Sequence, residues 1–264
     1  MSKTMIVIPA RYASTRFPGK PLSPLKGASG IAKPLVQRTW EAAMKVRGVD
    51  RVVVATDDDR IARECTRFGA EVIMTPESCG NGTERCAWVA SQCPEYDLFI
   101  NFQGDAPLTP PNFCEALIGA FDDVAVQVAT PALRCTGDAL YRLKNDRRNG
   151  RVGGTTVVFN HSADALYFSK EVLPHTSDEP SELVELPVFH HVGLYGYRRA
   201  ALESYLTMKR GPLEMFEGLE QLRFLENGGT IRCVEVEERG DFWELNNPSD
   251  TAIIEKVLAE QGVE

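Results

Sequence analysis

The first hundred residues alternate between short β-branched apolar runs and stretches whose apolar residues recur at helical spacing. That alternation restricts the fold more than any other feature. Met5 to Ile8, Asp50 to Asp57, Glu71 to Met74 and Asp97 to Asp105 read as buried strands, the last placed at the centre of a sheet. Between them, Lys33 to Val46 sets Leu35, Val36, Thr39, Trp40, Ala43 and Met44 on one helical face. Asp59 to Phe68 follows an acidic cap and stops at Gly69, and Thr83 to Ser91 is a Thr-capped helix after a Gly turn. Strands joined through helices imply a mostly parallel sheet with right-handed crossovers, a three-layer, Rossmann-like α/β fold. Ligands of such sheets sit outside the carboxyl ends of the strands, so the residues just after the apolar runs are where chemistry is expected.

Two strand ends meet that expectation. After Ile8 comes Pro9-Ala10-Arg11-Tyr12-Ala13-Ser14-Thr15-Arg16-Phe17-Pro18-Gly19-Lys20, with three cations within ten residues. Guanidinium forks pair with phosphate oxygens in bidentate fashion and a Lys adds a compact charge, so Arg11, Arg16 and Lys20 suit a polyphosphate. The loop is neither a Walker A nor a Gly-x-Gly-x-x-Gly turn, which leaves a kinase or dehydrogenase without a motif. The second strand end is Gln103-Gly104-Asp105-Ala106-Pro107. A net charge of −8 speaks against a nucleic-acid or membrane-surface binder, so any phosphate site must be a local basic pocket.

The 264 residues are expected to form a single domain, 1–264. No run approaches the roughly 20 apolar residues needed to span a bilayer, and the N-terminus enters its first strand without a signal-peptide pattern, so a cytoplasmic protein is expected. Seven cysteines without paired spacing point to reduced thiols. Further along, Val124 to Leu133 reads as a strand and Leu140 to Arg151 as a polar loop. Thr155 to Asn160, Ala165 to Ser169 and His191 to Tyr197 are strand-like, and His175 to Pro187 is a polar insertion. Pro212 to Leu225 has the period of one amphipathic helix with Leu219, Leu222 and Phe224 inward. Ile231 to Val236 is a further strand and Pro248 to Leu258 a closing helix.

Arg11 to Leu22 resembles the signature loop of sugar nucleotidyltransferases, most of all the 3-deoxy-manno-octulosonate cytidylyltransferase (CMP-Kdo synthetase) family. Gln103 to Pro107 resembles that family's Gln-Gly-Asp-Glu-Pro, with Ala106 for the Glu. Gly82 to Arg85 match its His-x-Ser-Gly-Thr-Glu-Arg loop, with Cys79 and Asn81 for the His and Ser. Ala165 to Lys170 is similar to Ala-Leu-Tyr-Phe-Ser-Arg, and Thr156 stands where the family has Lys. His191 to Tyr195 is similar to His-(Ile/Leu)-Gly-(Ile/Val)-Tyr, and Pro212 to Arg223 resembles Pro-Leu-Glu-x-x-Glu-x-Leu-Glu-Gln-Leu-Arg. Asn246 stands where the family has a second magnesium-binding Asp.

The resemblance implies a magnesium-dependent transfer from CTP to a 3-deoxy-2-ulosonic acid, giving a CMP-sugar for lipopolysaccharide biosynthesis and pyrophosphate. Arg11, Lys20 and Asp105 would be catalytic, and Ala10, Arg11, Arg16, Lys20, Asn81, Gly82 and Gln103 would hold the nucleotide. Gln103, His191, Tyr195, Glu217, Glu220 and Gln221 would serve the acceptor, and Asp105 with Asn246 would bind Mg2+. It also implies a nucleotide-binding part over about 1–135, a smaller sugar-binding and dimerisation subdomain over about 151–230, a closing strand and helix over 231–264, and a homodimer. The departures leave two alternatives open, a paralogue activating a different acidic or amino-substituted sugar and a catalytically silent nucleotide-binding protein.

Overall fold

The apolar runs do fold as parallel strands. The computed structural model describes residues 3–13, 17–152, 154–176, 185–237, 244–245 and 247–264. In chain order the strands are β1 (Thr4–Ala10), β2 (Pro24–Lys26), β3 (Ala32–Pro34), β4 (Arg51–Thr56), β5 (Glu71–Met74), β6 (Leu98–Phe102), β7 (Val128–Arg134), β8 (Thr156–Phe159), β9 (Ala165–Ser169), β10 (Phe189–His191), β11 (Leu194–Arg198) and β12 (Arg232–Val236). The helices are α1 (Leu35–Ala43), α2 (Asp59–Arg67), α3 (Gly82–Gln92), α4 (Pro111–Gly119), α5 (Gly137–Arg148), α6 (Arg199–Thr207), α7 (Pro212–Glu217), α8 (Leu222–Glu226) and α9 (Asp250–Glu260).

The main sheet runs β5-β4-β1-β6-β11-β7-β10-β8-β9, with β12 beside β7 and β2 paired to β3 in a separate hairpin. Strands β5, β4, β1 and β6 are parallel. Beyond β6, β11 lies antiparallel between β6 and β7, and β10, β8 and β9 continue the antiparallel pattern. Alternate residues of β1 and β6 take opposite faces. Met5, Val7 and Phe99 pack under Val89 of α3, Tyr205 of α6 and Phe224 of α8. Ile6, Ile8, Ile100 and Phe102 pack under Val36, Ile61, Phe113 and Leu117 from α1, α2 and α4. Burial on both faces is why β1 reads as an unbroken apolar run.

Several expectations are corrected. Leu140 to Arg151 is not a loop, because α5 runs through most of it, capped by the Thr136 side chain on Ala139 N–H and closed by Arg147 and Arg148 at its carbonyl end. Only Leu140 of that helix is buried, so its apolar stripe is too thin to announce it. His191 to Tyr197 is two strands divided at Val192 and Gly193; both pair with β7, the first also with β8 and the second also with β6. Pro212 to Leu225 is two helices, since Gly218 takes a left-handed φ of 61° and ends α7. Lys33 and Pro34, counted into the first helix, pair with β2 instead. Residues 177–184 of the polar insertion lie outside the described residues.

All seven cysteines are free thiols. Among the described residues no helix is long and apolar enough to cross a membrane.

Candidate active site

Where β1 and β6 end side by side, their following loops line a cleft of about 540 Å3. Of the sequence-predicted site residues, it gathers Ala10, Arg11, Lys20, Asn81, Gly82, Gln103, Asp105, Tyr195, Glu220 and Gln221. His191 and Glu217 are not among the lining residues, and Arg16 and Asn246 lie outside the described residues.

At one end the two motifs meet. Gly19, at φ 71°, opens the short 3-10 turn Lys20–Leu22, and Gly104 lets the chain after β6 pass β1, because a Cβ there would come within 2.5 Å of the Pro9 carbonyl oxygen. The result sets Lys20 Nζ 2.5 Å from Asp105 Oδ2. Lys20 also donates to the Leu245 carbonyl at 3.1 Å, and Leu245 N–H donates to the Asp105 carbonyl at 2.8 Å. Residue 245, just before the expected second metal ligand, is therefore docked on the first.

Among the described residues no group of three or more His, Cys, Asp or Glu could hold a metal ion by itself. Magnesium seldom uses an all-protein cage; it takes one or two carboxylates and completes its shell with substrate phosphates and water. A hard carboxylate at the mouth of a basic loop fits that ion, and Lys20 is the cation holding it here.

The middle of the cleft is the N-terminus of α3. Asn81 Oδ1 accepts from Glu84 N–H at 2.8 Å and Glu84 Oε2 accepts from Gly80 N–H at 2.7 Å, a reciprocal cap. Thr83, expected to cap this helix, does not. Its N–H and hydroxyl both donate to Glu220 Oε1, at 3.1 and 2.8 Å. One oxygen of Glu220 is thus committed to the first turn of α3, and burial raises that carboxyl's pKa. Arg11 donates to the Gly80 carbonyl at the long limit of 3.5 Å.

Three lining residues carry roles the sequence reading missed. Arg223 forks onto Glu214, with Nη2–Oε1 at 2.7 Å and Nε–Oε2 at 2.8 Å, and reaches Glu84 at 3.2 Å. The motif match did contain Glu214 and Arg223, but a single straight helix left them no reason to face each other. The break at Gly218 folds α8 back and brings them together.

On the acceptor side, Gln221 is buried and its Nε2 has no hydrogen-bond partner among the described residues. Glu217 binds the end of β9, accepting from Ser169 Oγ at 2.6 Å and Lys170 N–H at 2.9 Å. Thr156 donates to the Glu171 carbonyl at 2.7 Å and accepts from Leu173 N–H, so it braces a turn.

His191 sits in the core against Phe168 and Tyr195, its Nε2 3.0 Å from Thr130 Oγ1. That hydroxyl donates to the Leu194 carbonyl at 2.8 Å, so it accepts from the ring, and His191 carries its proton on Nε2. Burial, reinforced by neighbouring His190, pushes the His191 pKa down to about 3. A base whose folded pKa is depressed is protonated first in the unfolded chain, so its contribution is complete above about 6.5 and is lost as pH falls toward 3. Stability is therefore expected to drop by about 2 kcal/mol between pH 7 and pH 5 from this residue alone. Melting curves of His191→Phe should show a flatter pH dependence; a slope equal to wild type would contradict the neutral assignment.

The cytidylyltransferase family model matches residues 5–235. The chain is 44% identical to the 3-deoxy-manno-octulosonate cytidylyltransferase of Maricaulis maris over 264 residues, covering 98% of each. With the Zea mays enzyme of the same name it shares 36% identity, over 100% of this chain and 83% of the relative. A solved CMP:2-keto-3-deoxy-manno-octonic acid synthetase complexed with CTP superposes with a TM-score of 0.82 at 36% identity, covering 98% of this chain and 100% of that one. The fold alone extends to a Leptospira borgpetersenii cytidylyltransferase, at a TM-score of 0.55 and 15% identity over 90% of this chain and 77% of that one. With a family model spanning most of its length and relatives this similar end to end, the chain belongs to the 3-deoxy-manno-octulosonate cytidylyltransferase family.

Proposed function

We propose that the cleft transfers a cytidylyl group from CTP to the anomeric hydroxyl of 3-deoxy-manno-octulosonate. The observation that carries this reading is the Lys20–Asp105 pair, formed where the phosphate loop and the metal motif converge beside the α3 N-terminus. In the reaction the sugar oxygen attacks the α-phosphorus, the bond to the β-phosphate oxygen breaks, pyrophosphate leaves, and the hydroxyl proton passes to solvent. Such chemistry is mainly positioning and neutralisation of charge on the phosphate oxygens. Arg11 and Lys20 supply the cations that face the phosphates. Magnesium would be held by Asp105 and, with phosphate oxygens, supplies further neutralisation of the triphosphate. Gln103, Tyr195 and Gln221 line the space left for a polyhydroxylated acceptor.

Pyrophosphate release from CTP and magnesium, measured over a panel of ulosonic acids and other sugars, tests this. Release should require an acceptor and be fastest with 3-deoxy-manno-octulosonate; none above CTP alone with any acceptor would overturn it. Lys20→Ala should weaken CTP by about tenfold or more, the scale of one charge-assisted bond, while CMP changes little. Equal losses for both nucleotides in calorimetry would contradict the triphosphate assignment.

The same reading includes a homodimer formed through the 151–230 part. Phe216 is 91% exposed and Met215 60% exposed on α7, which supports an apolar contact there. Sedimentation should give twice the 29.2 kDa chain mass; a monomer at high concentration would rule this out.

A further inference from the structure

Arg11 and Lys20 sit beside a backbone contact that joins the two ends of the loop. Arg11 precedes Tyr12 and Lys20 follows Gly19, and Gly19 N–H donates to the Tyr12 carbonyl at 3.0 Å. The Tyr12 ring also lies against Gly19, whose Cβ position would be 3.1 Å from its Cε2 and Cζ. These two contacts fix where Arg11 and Lys20 leave the loop relative to each other. They do not by themselves fix the loop to the rest of the protein.

Besides the Lys20 contacts with Asp105 and Leu245, Arg60 provides an attachment at the Tyr12 side. Its guanidinium carbon lies 3.3 Å from the centroid of the Tyr12 ring. The guanidinium is oriented by a fork to Asp58, with Nε–Oδ1 at 3.0 Å and Nη2–Oδ2 at 2.6 Å. Asp58 in turn caps α2, accepting from Arg60 N–H at 2.9 Å, and its own N–H donates to Thr56 Oγ1 at 3.2 Å at the end of β4. The ring is thus referenced to the strand next to β1 and to the first turn of α2. Asp58 also neutralises Arg60, so a cation is stacked on the ring without adding to the repulsion between Arg11 and Lys20.

We infer that Arg60 is a positioning residue for the phosphate loop, acting through Tyr12 to hold Arg11 and Lys20 in place for a triphosphate before it binds. An exposed Arg–Asp pair contributes little to stability, so its effect should appear in nucleotide binding and not in the melting temperature. Preorganisation of this kind strengthens binding by removing the cost of ordering the loop. The inference rests on the nucleotide reading of the cleft.

Arg60→Ala should raise the KM and calorimetric Kd for CTP about three- to tenfold, the scale of a cation–π contact, with kcat within about twofold and the acceptor KM unchanged. Tyr12→Leu should do the same and Tyr12→Phe, which keeps the ring, should stay within about twofold of wild type. The Arg60→Ala and Tyr12→Leu double variant should be no worse than either single one. Arg60→Lys keeps the charge but not the planar fork, so it should resemble Arg60→Ala. Additive losses, wild-type behaviour of Arg60→Lys, or an unchanged CTP Kd in Arg60→Ala would each overturn the inference. Failure of the wild-type protein to bind CTP would instead overturn the reading of the cleft.

Discussion

Asp105→Ala is expected to lose turnover by about 10²-fold or more while the far-UV spectrum stays that of wild type. The fold should survive because the anchor between this position and Leu245 uses the Asp105 backbone carbonyl, which the substitution keeps. The Lys20–Asp105 pair is itself about one-fifth exposed on each side, so its loss should disturb stability only modestly. The chemistry is different. Removing the carboxylate takes away a metal-suited oxygen beside the phosphate loop and one of the two partners that hold the Lys20 ammonium. Asp105→Asn, which keeps the shape but not the charge, should be nearly as impaired. Either variant retaining a tenth of wild-type activity would show that Asp105 is not the residue the reaction depends on.

Glu214→Ala should be the most destabilising of the substitutions considered, by about 3–5 kcal/mol, because it strands a buried charge. Arg223 and Glu214 have side chains only 6% and 3% exposed, and the hydrogen bonds to Glu214 are the largest cause that raises the guanidinium's pKa above its ordinary value. Glu84 and the ring of Tyr205, whose centroid is 4.1 Å from the guanidinium carbon, would remain as its partners. Neither replaces a two-pronged carboxylate. Compared with a total stability of about 5–15 kcal/mol, the loss is large. Lys256–Glu260, 74% and 56% exposed, is the control: Glu260→Ala should leave the denaturation midpoint almost unchanged. A Glu214→Ala midpoint as close to wild type as that of Glu260→Ala would refute the burial argument.

These two cases also mark how far the sequence could be read. Asp105 was visible because a five-residue apolar strand ending in Gln-Gly-Asp leaves little choice about where its carboxylate emerges. Gly104 and Gly82 were visible for a similar reason, each sitting where a Cβ would run into Pro9 or Asn101. The Glu214–Arg223 pair was not visible, because one left-handed glycine turns an apparent helix into two and no periodicity reports that turn. Helix α5 was hidden by its own polarity, and the split of His191 to Tyr197 by apolar residues on both sides of Gly193. Thr83 is a further case: a Thr at a helix start suggests a cap, and only the tertiary structure brings a carboxylate 137 residues away to bind its hydroxyl.

The position of bond cleavage in CTP tests the central claim most directly. If the loops after β1 and β6 bring the acceptor to the α-phosphorus, 31P spectra of the wild-type reaction should show CTP replaced by equal amounts of pyrophosphate and one new phosphodiester, only when the ulosonic acid is present. Formation of CDP with inorganic phosphate or a sugar phosphate would place the attack at the γ-phosphorus and contradict the account.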